Sequence, residues 1–134
     1  MWYNRVVQDL GNIPEFIVYY ENELADAKFD CAIKGHLEKN IASLPGVTEL
    51  RFNQLQEIEA VLNYLNIQLR KIRKKHFQKY VDGEDEVIDF ETIINEVALV
   101  RNKWLGLMKG LESKNFMLGH VSRLRTAGME DITL

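Results

Sequence analysis

Two stretches of this chain repeat buried-type residues at alternating intervals of three and four. Leu55, Ile58, Leu62, Leu65, Leu69, Ile72 and His76 form the first seam, and Phe90, Ile93, Val97, Val100, Trp104, Leu107 and Leu111 form the second. That spacing returns side chains to one stripe of an α-helix, whereas a half-buried strand would alternate every second residue. The first seam lies in a segment free of Pro and Gly and predicts one long helix over residues 47–81, broken at Val81-Asp82-Gly83-Glu84-Asp85. The second predicts a helical C-terminal portion over residues 89–127, with Ser113 and Asn115 marking a break before a last short helix that carries Phe116, Met117, Val121 and Leu124. Matching seams joined by a short connection predict an antiparallel helical hairpin, each helix covering the other's stripe.

Upstream, Gly11-Asn12-Ile13-Pro14 separates an N-terminal arm, residues 1–13, from a helix over residues 14–43. Phe16, Leu24, Ala27, Cys31, Leu37 and Ile41 recur there at roughly helical spacing, with Gly35 weakening the middle. Ser43-Leu44-Pro45-Gly46 has the composition of a turn. The expected fold is therefore all-α, one helical domain over residues 1–134 with more than about 60% helix. Trp2, Tyr3, Val6 and Val7 sit on an arm too short to be stable alone, which together with the two seams predicts a homo-oligomer.

Composition narrows this further. The chain has 134 residues, 46% of them hydrophobic and 28% charged, so it can build a core, while 8 Gly and 2 Pro are too few for the frequent turns of a β-sandwich. The lone cysteine, Cys31, excludes an intramolecular disulfide and any cysteine-based zinc site, which suits a reducing compartment. The chain has no apolar run of about 18 residues and no signal-peptide order at its start, so a cytoplasmic protein with no membrane association is expected.

The net charge of −3 conceals a strongly segmented distribution. Residues 1–69 carry a net −5. Arg70, Lys71, Arg73, Lys74, Lys75 and Lys79 then follow with no anion among them, and Asp82, Glu84, Asp85, Glu86, Asp89 and Glu91 answer with no cation. Residues 101–125 carry a net +5. Attraction is governed by charge within about 8–10 Å at ordinary salt, so an acidic chain can present a basic surface. With Leu69, Ile72 and His76 on the seam, the cations of the basic run fall on the other faces. They could serve the helix dipole and pair with the acidic block, or they could bind phosphates while Phe77 and Tyr80 stack on unpaired bases.

Catalytic chemistry has little to stand on. His36, His76 and His120 lie on separate segments without metal-ligand spacing, and no nucleophile elbow, phosphate loop, dinucleotide fingerprint or calcium loop occurs. A non-enzymatic protein without cofactor or metal is expected. Lys103, Lys109, Lys114, Arg123 and Arg125 are dispersed among core positions, and Gly106 and Gly110, beside Trp104, suit close helix approach.

A family resemblance joins these features. A long amphipathic helix ending in Lys71-Ile72-Arg73, the turn Tyr80-Val81-Asp82-Gly83, an acidic stretch and a helix with a central Trp104 resemble the UvsY recombination-mediator family of T-even-type bacteriophages. Residues 111–121, from Leu111-Glu112-Ser113-Lys114 to Gly119-His120-Val121, resemble that family's closing segment. The likeness spans about residues 58–128. It implies a non-enzymatic oligomer in the host-cell cytoplasm that binds single-stranded DNA, helps displace a single-strand-binding protein and loads a phage recombinase. The family's DNA-contacting element corresponds to Lys71 and Arg73, and the expected DNA-binding set is Arg70, Lys71, Arg73, Lys74, Lys75, Lys79 and Tyr80. The alternative is a helical scaffold that self-associates through its apolar stripes without nucleic acid.

Overall fold

The computed structural model describes residues 1–33, 35–79 and 84–126, with side chains for all of these except 76–79, 84 and 85. Ninety-four percent of the described residues are helical and none is in a strand. Helix α1 (Trp2–Gln8) leads through a 3-10 turn (Leu10–Asn12) into α2 (Ile13–Asp30), and α3 (Leu37–Lys79) and α4 (Glu84–Thr126) are the two long elements. At 1.5 Å per residue each long helix measures about 65 Å. They run antiparallel, since Arg51 lies beside Trp104, Arg73 beside Glu91, and Arg125 near Glu38. None of the described helices is long and apolar enough to cross a membrane.

The hairpin follows the two seams. Leu55, Ile58, Leu62, Leu65 and Leu69 of α3 are buried, as are Val97, Val100, Trp104, Leu107 and Leu111 of α4. Trp104 is fully buried, and its indole N–H donates to the Arg51 carbonyl at 3.2 Å, fastening α4 to α3. Helices α1 and α2 pack across the middle of one face. Phe16 and Tyr20 enter the core beside Trp104, with the Tyr20 and Trp104 rings edge to face at 5.3 Å. The N-terminal arm is not left for a partner to cover. Trp2 and Val6 are buried in the chain's own core, Trp2 against Phe16 at 6.2 Å and Tyr19 at 5.4 Å.

Four expected boundaries differ. The helix expected over residues 14–43 stops at Asp30, and the reversal occurs between Cys31 and His36, where Gly35 has a φ of 80°. A Cβ raises the energy of that left-handed conformation, so glycine suits the position. The expected turn at Ser43-Leu44-Pro45-Gly46 is instead the interior of α3. Pro45 supplies no N–H to the Ile41 carbonyl, a loss of roughly 3 kcal/mol. Against it stands a cluster of Leu37, Leu44, Leu111, Leu118 and Val121, all buried. Each such side chain gains roughly 1.5–3 kcal/mol on burial, so continuing the helix past Pro45 wins. Finally, Ser113 and Asn115 do not break α4, because the seam runs on through Lys114, Leu118 and Val121 on the same stripe. The start of α4 at Glu84 also draws the end of the acidic block into helix, five residues earlier than expected.

Candidate nucleic-acid interface

The last turns of α3 carry the basic run. Leu69 is buried and Ile72 half-buried against α4, which fixes the rotation of the helix and turns Arg70, Lys71 and Lys74 away from it, with Lys75 to one side. Arg70, Lys71, Arg73, Lys74 and Lys75 are all exposed. Their placement at a helix C-terminus complements the partial negative charge of the dipole there. Arg73 lies nearest the interhelical seam and makes an ion pair with Glu91 of α4. Arg70, Lys71, Lys74 and Lys75 make no ion pair among the described residues. Lys79 closes α3, but its side chain, those of His76 and Phe77, and the whole of Tyr80 lie outside the described residues, as do Asp82 and the side chains of Glu84 and Asp85. Of the acidic block, Glu86 and Asp89 are exposed on the first turns of α4.

The second cationic set is used differently. Lys103 pairs with Glu21 of α2 at 2.7 Å, and Arg125 approaches Glu38 at 3.9 Å. Lys114 is buried, and its ammonium donates to the Asp30 carbonyl at 2.8 Å, capping the C-terminus of α2. Arg51, also buried, donates through Nε to Asp30 and through a terminal nitrogen to Glu23, both at 2.8 Å. Neither Arg51 nor Lys114 stood out in the sequence by its role. The available signal was a cation at a seam position, since Lys114 falls three residues after Leu111 and four before Leu118.

Two carboxylates tie α2 to α3. The side-chain amide of Gln54 and the Arg51 guanidinium hold Glu23 below its ordinary value of 4.5, against the opposing effect of burial. Burial raises Glu57, but the Tyr20 hydroxyl donating at 2.6 Å and the nearby N-terminal ammonium outweigh it, and the net shift is downward. Tyr20 in turn is pushed far up, first by burial and then by the Glu57 carboxylate. A tyrosine locked as a donor this firmly is a structural tie. Cys31 is half-buried at the end of α2, its thiol raised by burial and directed at the Leu107 carbonyl at 3.7 Å. His36 and His120 are exposed and separate, and no cluster of metal-binding side chains occurs among the described residues. Gly110 bears out the expectation of close approach, because a Cβ there would meet Cys31 Sγ at 2.8 Å, but Gly106 faces open space.

No protein-family model, curated protein or solved structure matches this chain.

Proposed function

We propose that the cationic end of α3 binds single-stranded DNA and that the protein acts as a non-enzymatic binding factor. One observation carries this reading. Arg70, Lys71, Lys74 and Lys75 are gathered within about two helical turns, exposed and unspent on ion pairs among the described residues, whereas Lys103 and Lys114 of the other cationic set are engaged with α2. A surface of free cations of this density gains affinity by releasing counterions from phosphates. The resemblance to recombination mediators supports a single strand as the ligand, to be passed to a phage recombinase as a single-strand-binding protein is displaced.

The test is a salt-titrated binding assay with a labelled oligonucleotide. Replacing both Lys71 and Lys74 by Ala should flatten the log–log salt slope by about 1.4, since each phosphate contact on a single strand contributes roughly 0.7. Arg73→Ala should matter less, because Arg73 must first give up Glu91. Folding should shift by no more than about 0.5 kcal/mol in either variant, as is usual at exposed sites. A folded parent that fails to bind at low salt would end the proposal and leave the self-associating scaffold, a reading favoured by an uncovered apolar face on the hairpin.

A further inference from the structure

Helices α1 and α2 cover one face of the hairpin and leave the opposite face open. Arg51, Gln54 and Glu57 of α3, with Lys103 and Lys114 of α4, point toward the covered side. On the other side runs a groove of about 1090 Å³, with Ile41, Pro45 and Phe52 along α3 and Leu105, Met108 and Leu118 along α4. Leu118 forms its buried floor, while its rim is far from buried, with Ile41 45%, Phe52 48% and Leu105 40% exposed. An uncovered apolar strip of this extent on a small soluble chain marks an interaction surface.

We propose that this groove is the contact between two copies of the chain, related by a two-fold axis parallel to the hairpin. The charges on the walls select that arrangement. Glu49 stands on the α3 wall and Lys109 on the α4 wall, with Glu112 one turn farther from the level of Glu49, and none of the three makes an ion pair among the described residues. An axis along the hairpin lays α3 of one copy over α4 of the other at the same height. Because Arg51 and Trp104 are level with each other, Glu49 and Lys109 differ in height by about 5 Å, within one helical turn. Each Glu49 therefore meets the other copy's Lys109, twice by symmetry. An axis across the hairpin would instead set α3 on α3 with heights reversed, which leaves each Glu49 without the other copy's Lys109. The area is sufficient. The strip is roughly 27 Å long and about 20 Å wide, which buries on the order of 1,100 Å² over both copies, at the lower end of specific interfaces. The result is a four-helix layer with α1 and α2 outermost on both sides. The pairing involves neither Lys71 nor Lys74 and holds whether or not the chain binds DNA.

Sedimentation equilibrium of the whole chain, without nucleic acid, tests this directly. The parent should be dimeric at micromolar concentration. Phe52→Glu should weaken the dimer by roughly 30-fold or more, the size expected for replacing an interfacial aromatic ring with a charge. Glu49→Lys and Lys109→Glu should each weaken it several-fold, and the double swap should restore it, with circular dichroism confirming that every variant keeps its helix. A parent that stays monomeric overturns the proposal, and uptake of an apolar dye abolished by Phe52→Glu would then assign the groove to another occupant. A dimer insensitive to Phe52→Glu also overturns it, and a double swap no better than the single reversals overturns the two-fold orientation.

Discussion

The waist of the hairpin and its cationic end use one heptad pattern to different effect. At the waist a third helix joins the pair, so that Trp104, Phe16, Ile58 and Leu65 are fully enclosed and Arg51 is held by two carboxylates. Toward the cationic end α2 is absent, Ile72, Phe90 and Ile93 are only half-buried, and Arg73 and Glu91 link the helices by a surface pair. Surface pairs contribute about 0–1 kcal/mol, far less than an enclosed aromatic. Stability is thus concentrated where α2 packs, and Arg70, Lys71, Lys74 and Lys75 are left with little structural duty among the described residues. A segment with that balance can be changed for binding at small cost to folding.

The contrast breaks most visibly at Trp104. Trp104→Ala should cost about 3–5 kcal/mol, since it empties the centre of the core and removes the hydrogen bond to Arg51. Ile72→Ala, on the same hairpin but half-exposed, should cost about 1 kcal/mol. Urea denaturation of both variants measures the difference, and equal losses would show that the end is held as firmly as the waist.

Acid should act on the waist as well. Glu23 and Glu57 have folded-state values below their ordinary 4.5, so the unfolded chain binds protons first as pH falls. The stability they contribute is complete well above 4.5 and drains away as pH drops from there through their lowered values. Glu57→Gln should keep the Tyr20 contact while removing one of the two titrations, giving a shallower fall of melting temperature with acid. An unchanged acid profile would mean that other carboxylates dominate.

The same division governs how much could be read before the fold was known. The hairpin was legible because its pattern is local, with each of the fourteen seam positions set by intervals of three and four. The boundary between α2 and α3 was not. Pro45-Gly46 is the stronger local turn signal, yet Leu37 and Leu44 gain their burial from Leu118 and Val121, more than seventy residues away in the chain. Local propensity yields to such contacts, which one segment cannot disclose. At the candidate site, the exposure of Arg70, Lys71, Lys74 and Lys75 followed from the register of Leu69 and Ile72. The structural use of Lys103 and Lys114 depended on where α2 lies, and spacing along α4 carries no information about that.

Effects at the paired glycines of α4 should be modest and of opposite sign. Both lie in the interior of α4, where replacing glycine by alanine gains about 0.5–1 kcal/mol from reduced chain entropy if there is room. Gly106 has room, with nothing within 4 Å of an added Cβ, so Gly106→Ala should raise stability by about that amount. Gly110 has none, because Cys31 Sγ would lie at 2.8 Å and Cys31 Cβ at 3.5 Å. Relief would require turning the thiol away from the Leu107 carbonyl or moving the end of α2, where Arg51 and Lys114 converge on Asp30. Gly110→Ala should therefore lower stability by about 1–3 kcal/mol, the usual size of overpacking. Cys31→Ala sharpens the test, since it removes the sulfur and leaves only the ordinary contact with Cβ. The double variant should recover most of the loss, giving a coupling of at least about 0.5 kcal/mol between residues in contact. Strict additivity in that cycle, read from thermal melts, would mean that α2 and α4 do not meet at this point and that the waist is looser than its geometry implies.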